Sequence, residues 1–349
     1  MSVRHRSKAM VLVALLAAAC AGGSKPPAPS SPSGRTNAVA PQSSPPALPM
    51  GLKASVATDP YPFGTTVAFG KVWVTTHDGQ SLQVIDPVTD QVVRTVGLAV
   101  QPGSVVSGGG SIWVQSRTDN TLIRVNPATF ATTVVRLGGS GSPTCSIAFG
   151  NGFVWVASAP NSGLENRGTV LRVQPSTGLV AARIPVRGFP CGFASLGGEE
   201  WTATPGGLVG ISVRSDAVRE VQVPQFRKAM AWLDGAVGGH LFVHVQPNAL
   251  SSVFYRIDPS TGTVTGVLQR PSDSLILLEV GATEIWFNSN GTDEVLVVDP
   301  ATMRVAATGT LNTGEVVPDP TMKPTELWLP TGEGTVVNID PSTFLHRKG

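Results

Sequence analysis

The chain has 349 residues, with 39 Gly, 29 Pro, 41% hydrophobic and only 14% charged residues. So many turn formers exclude a helical protein, and the apolar share excludes disorder over most of the length, which leaves many short strands joined by tight turns. Net charge is +2, but five of the 25 Lys and Arg precede residue 51, leaving 20 against 23 Asp and Glu after it; with no basic stripe to neutralise phosphates, no nucleic-acid partner is expected.

Residues 1–19 read as an export signal: a basic start (Arg4, His5, Arg6, Lys8), then an apolar run from Ala9 to Ala19 that is too short to span a bilayer. The run ends in Leu16-Ala17-Ala18-Ala19-Cys20, which resembles the bacterial lipobox, with Ala17 where Leu is preferred. That resemblance implies cleavage before Cys20, lipid attachment to its sulfur, and residence on the extracytoplasmic face of the cell membrane, with the membrane itself a partner through the anchor. Within 20–50, the stretch 21–50 contains eight Pro, six Ser and two charged residues and has no apolar period. Such a segment is expected to be a disordered spacer.

From residue 51 to 349 the chain repeats itself. An aromatic residue in a short apolar run recurs at Trp73, Trp113, Trp155, Trp201, Phe242, Trp286 and Trp328, at spacings of 40, 42, 46, 41, 44 and 42. A turn follows each about a dozen residues later: Asp86-Pro87, Asn126-Pro127, Gln174-Pro175, the degenerate Val213-Arg214, Asp258-Pro259, Asp299-Pro300 and Asp340-Pro341. Each unit holds four β-rich runs. Gly-rich turns (Gly70, Gly108-Gly109-Gly110, Gly150-Asn151-Gly152) join the first two runs, and the Asp-Pro turns join the last two. The Asp residues are assigned to turn formation and not to calcium, which needs clustered carboxylates.

A four-strand repeat of this length predicts an all-β, seven-bladed propeller of four-stranded blades. Val72-Trp73-Val74-Thr75 with Leu82 to Thr89, and Trp286 to Asn290 with Val295 to Thr302, resemble YVTN-type propeller repeats and the related streptogramin lyase (virginiamycin B lyase) group. The lyase resemblance implies a Mg²⁺-assisted elimination, with a catalytic Glu three residues after a blade Trp and a His directly after the Pro that introduces each innermost strand. This chain departs from both. The first position holds Thr76, Ser116, Ser158, Thr204, Val245, Ser289 and Thr331, and the second holds Phe63, Gly103, Thr144, Cys191, Gln225 and Ser272. The small hydroxyls have no evident base and are expected to satisfy strand ends.

In a blade the two stereotyped turns share one face, and the irregular loops 77–81, 117–121, 159–169, 204–207, 246–252, 288–294 and 330–335 share the other. A ligand is expected there, with His77, Arg117, Asp119 and Arg167 as polar contacts and Phe63 and Phe189 as apolar walls. His240 and His244 lie in a strand, roughly 13 Å apart at about 3.3 Å per residue, and cannot share a metal. No catalytic residue, metal or cofactor is assigned. Cys145 and Cys191 begin consecutive innermost strands of an exported domain and are expected to form a disulfide. The segment 52–58 is expected to close the ring as the outer strand of the last blade. The function expected is a binding or interaction scaffold for an unidentified protein, glycan or small-molecule ligand; the alternative is a streptogramin lyase-like or lactonase-like enzyme.

Overall fold

The computed structural model describes residues 51–139, 142–159, 167–226, 229–248, 251–269, 274–290, 294–310, 321–323, 326–332 and 334–345. The signal 1–19, Cys20 and the spacer lie outside these residues, as do Pro271, Pro318, Pro320, His346 and parts of loops 159–169, 246–252, 288–294 and 330–335. Apart from a 3₁₀ turn at Pro224–Phe226 and one helical turn at Ser342–Leu345, the described structure is strand and turn, folded as a β-propeller.

In the first repeat, Pro62–Ala68, Lys71–Thr76, Ser81–Asp86 and Gln91–Gly97 pair in that order as an antiparallel meander. The second, third and sixth repeats form sheets of the same kind, and the fifth such sheet contains the seventh repeat. There Leu52–Ala57 pairs with Thr335–Ile339 as the outermost strand, so the ends of the domain meet in one sheet, as the sequence predicts. The fourth and fifth repeats differ from the expectation of separate four-stranded sheets: they share one eight-stranded sheet. The cause is local. Their inner strands, Cys191–Leu196 and Met230–Val237, touch at one parallel pair, Gly192↔Leu233. Gly192 sits at φ +73°, and a Cβ there would lie 2.0 Å from the Leu233 carbonyl oxygen, so only glycine admits the approach.

The repeated aromatic has one role throughout. Trp73 packs with Ile112 and Val114 of the next repeat, Trp155 with Val209 and Ile211, Phe242 with Phe287, and Trp328 with Val72 and Val74 of the first. Each buried cluster thus fills the seam between two neighbours, and the last fills the seam where the chain returns to its start. Inner strands touch their neighbours in chain order, and Thr321–Lys323 touches Pro62–Ala68 to close the ring. In the first four repeats the Trp indole donates to a backbone carbonyl, as Trp73 Nε1 does to Ala68 at 3.0 Å and Trp155 Nε1 to Gly150 at 2.9 Å, whereas Trp328 Nε1 donates to Glu326 Oε2 at 3.1 Å. The Asx turns are built by their own side chains: Val88 N–H donates to Asp86 Oδ1 at 2.9 Å, and Ala301 N–H to Asp299 Oδ1 at 2.8 Å.

Cys145 and Cys191 form the expected disulfide, with Cα atoms 5.2 Å apart. It joins the inner strands Ser142–Gly150 and Cys191–Leu196 of the third and fourth repeats.

Candidate ligand-binding face

In the first two repeats the loop after the second strand is tied back to the segment that opens the same repeat. His77 N–H donates to the Tyr61 carbonyl at 2.8 Å, and Arg117 N–H to the Gln101 carbonyl at 2.9 Å. This places Arg117, from the second repeat, with its guanidinium 5.1 Å from the centre of the Phe63 ring of the first. Gly103 makes room, since a Cβ there would lie 3.1 Å from Arg117 Cγ. Arg117 is exposed and Phe63 half-buried, and the guanidinium donates to no protein group among the described residues.

The other residues expected at this face are distributed around it. Asp119 is exposed, its N–H held by Ser116 Oγ at 3.0 Å. His77 is half-buried beside the Tyr61 ring, with Nδ1 2.8 Å from Asp78 Oδ1. Arg167 is exposed and precedes Gly168, whose missing Cβ leaves space for Pro190 and the Gly188 carbonyl. Arg167 and Phe189 therefore sit on adjoining segments at the seam of the third and fourth repeats, whereas Arg117 and Phe63 meet at the seam of the first and second.

Three of the hydroxyls at the ends of the second strands serve the backbone: Thr76 Oγ1 donates to the Ser81 carbonyl at 3.4 Å, Thr204 Oγ1 to the Gly207 carbonyl at 3.3 Å, and Thr331 Oγ1 to the Thr335 carbonyl at 3.2 Å. The two strand histidines have separate partners. His240 Nδ1 lies 3.0 Å from the Gly238 carbonyl, and His244 Nδ1 lies 2.8 Å from Asp234 Oδ1. No group of three or more His, Cys, Asp or Glu side chains able to hold a metal ion occurs among the described residues.

Two buried carboxylates escaped the sequence reading. Asp234 occupies a β-bulge between Leu233 and Gly235, which turns it onto the face of His244, while Trp232 stacks on the imidazole at 4.6 Å. Burial pushes the Asp234 carboxyl up, against the opposing pull of His244. Glu200, 1% exposed, accepts from Ser195 Oγ at 2.6 Å and Asn151 Nδ2 at 3.0 Å; burial raises its pKa to about 7 despite those two hydrogen bonds. A signal for Glu200 was present, because the residue before the repeated aromatic is apolar in all other repeats: Val72, Ile112, Val154, Leu241, Ile285 and Leu327.

No protein-family model matches the chain, and no curated protein matches it in sequence. Solved structures do match in fold. A streptogramin B lyase superposes with a TM-score of 0.61 at 16% identity, covering 84% of this chain and 96% of the lyase. BamB from Moraxella catarrhalis gives 0.53 at 13%, covering 80% of this chain and 84% of BamB, and the WD40 propeller domain of Doa1 gives 0.62 at 14%, covering 84% and 98%. At these identities the likeness establishes the propeller fold and nothing about activity.

Proposed function

We propose that the protein is a cell-envelope lipoprotein on the extracytoplasmic face of the membrane, with signal 1–19, lipidated Cys20, spacer to residue 50, and a seven-bladed propeller from 51 to 349. The two halves of the eight-stranded sheet count as one blade each, their ladders meeting at the single pair Gly192 and Leu233. The propeller serves as a binding scaffold whose irregular-loop face takes a protein, glycan or small-molecule ligand. The observation that carries this reading is Arg117 over Phe63: a planar cation set against a ring, exposed, and donating to no protein group among the described residues. An anionic group on the ligand would complete it by paired hydrogen bonds.

The test is native mass spectrometry of the full chain extracted from membranes. A co-purifying mass should be lost in Arg117→Ala with Arg167→Ala and kept in Asp86→Asn. A mass that survives the arginine changes but disappears in Asp86→Asn or Asp299→Asn would place the site on the opposite face.

One observation favours an enzymatic second reading, lyase-like or lactonase-like. Asp234 holds His244 by Nδ1, the arrangement that orients an imidazole as a general base. Turnover of streptogramin or lactone substrates that disappears in His244→Ala would support it.

A further inference from the structure

The chain leaves the propeller at a defined place. Leu52 pairs with Ile339, and Asp340 N–H donates to the Gly51 carbonyl at 2.7 Å, so residue 51 stands beside the Asp340-Pro341 turn. Strand polarity puts that turn on the face of all the stereotyped turns, opposite Arg117 and Phe63. Residue 51, where the spacer ends, therefore stands on the turn face.

The same face carries apolar side chains in water. Phe69, in the first hairpin turn, is 53% exposed; Val88, in the Asp86 turn, is 88% exposed; Leu179, in the Gln174 turn, is 68% exposed. Phe149 and Val218 stand at the same ends of their strands, and Val93, Val134, Val267 and Val305 belong to outer strands. Of the large hydrophobic residues exposed among the described residues, Tyr61 alone belongs to the irregular-loop face. Turn tips are where polar residues are ordinarily chosen, so apolar ones at the turns that flank the tether call for a cover.

We propose that the turn face docks on the lipid surface, with Phe69, Val88 and Leu179 entering the interfacial layer, so that the irregular-loop face points away from the membrane toward its ligand. This rests on the lipid-anchor reading above. A spacer of the length and composition of residues 21–50 reaches about 30 Å as a flexible coil and about 90 Å as an extended polyproline II chain. The face is thereby held near the bilayer at high effective concentration, where a few shallow apolar insertions suffice for binding. The exposed apolar residues at the turn ends, Phe69, Val88, Phe149, Leu179 and Val218 against Tyr61 alone at the loop ends, and the position of residue 51 agree independently on which face this is.

The full chain, exported with its own signal, is reconstituted in phosphatidylethanolamine–phosphatidylglycerol vesicles and isolated by flotation. Environment-sensitive dyes are attached through Val88→Cys or Leu179→Cys on the turn face, and through Asp78→Cys or Thr118→Cys on the other. Nitroxide lipids labelled near the headgroup should quench most of the emission from the first two and leave the second two bright, because interfacial docking sinks side chains by about 5–10 Å. Phe69→Asp should restore emission at Val88 while the protein still floats. Floating protein whose turn-face dyes stay bright, or are shielded from iodide without lipid quenching, overturns the docking and leaves the anchor standing. Protein that does not float overturns both.

Discussion

Arg172, on the third strand of the third repeat, sets Nη1 2.7 Å from Asp216 Oδ1 in the turn of the fourth, donates to the Val213 carbonyl at 2.8 Å, and lies 4.7 Å over the Phe153 ring. The reach recurs around the ring. Arg124 Nη1 donates to the Ser176 carbonyl at 3.1 Å, and Arg256 Nη1 to the Pro300 carbonyl at 3.0 Å, each in the next repeat's turn. All three arginines stand two residues before their own turn position, at Asn126, Gln174 and Asp258. The stereotyped turns are thus acceptors for the preceding repeat as well as chain reversals.

Arg172→Ala should lower stability by about 1–3 kcal/mol, because a charge-assisted bond is lost and a part-buried carbonyl is left bare. Arg172→Lys should recover little of it, since a point charge cannot serve ring, carboxylate and carbonyl together. Thermal unfolding decides, and a Tm unchanged in the alanine variant would remove the clamp from the account.

The period, the recurring aromatics, the closing strand and the disulfide were legible because each depends on position within a repeat, and repetition shows position directly. The shared sheet of repeats four and five was not, because Gly192 looks like any other glycine until Leu233 is seen across from it. The Asp234–His244 pair was hidden for a related reason: a bulge sets which residues share a face, and one extra residue in a strand leaves no mark on composition. Glu200 could have been found by comparing copies. The arginine clamps also recur in register, but the partner they have in common is a backbone carbonyl of the next turn, which no side-chain pattern displays. The Arg117–Phe63 contact links loops of two repeats, and loop conformation is what the repeat does not determine.

Glu200 makes stability depend on pH. Its folded pKa of about 7 stands above the ordinary carboxyl value of 4.5. Below the lower value both states hold the proton and the group has no effect. Between the two values the unfolded chain releases the proton while the folded one keeps it, so stability falls as pH rises, by about 3 kcal/mol in all once pH exceeds the folded value. Glu200→Gln keeps an acceptor for Ser195 and removes the titration. Its Tm should match the parent at about pH 5 and exceed it at about pH 8, whereas a constant difference at both values would contradict the burial argument.

The disulfide closes a sequence separation of 46 residues between neighbouring inner strands, which corresponds to about 4 kcal/mol of restricted unfolded-state entropy. Cys145→Ser with Cys191→Ser should lower Tm accordingly, and reduction of the parent should reproduce the drop. Thiol labelling after denaturation should find no reactive sulfhydryl in the propeller before reduction and two after it.

The ring depends on its first strand. Leu52–Ala57 covers the edge of Thr335–Ile339, Val56 is buried with Trp328 and Val72, and Thr58 N–H donates to the Gly334 carbonyl at 3.0 Å. Just beyond, Asp59 Oδ2 accepts from Ser81 Oγ at 2.8 Å and its N–H donates to Gln83 Oε1 at 2.9 Å, so the passage from the last repeat into the first is tied at both ends. Deleting 51–58 would uncover a sheet edge next to an emptied apolar site, which combines lost burial with an exposed template for pairing. A sharp fall in Tm and concentration-dependent aggregation are expected. Val56→Asp should reproduce much of the fall without removing the strand, because it buries a charge with no partner. A synthetic peptide of residues 51–58 should restore the Tm of the deletion variant by pairing in trans. A deletion variant that melts as the parent does would mean that the ring holds without this strand.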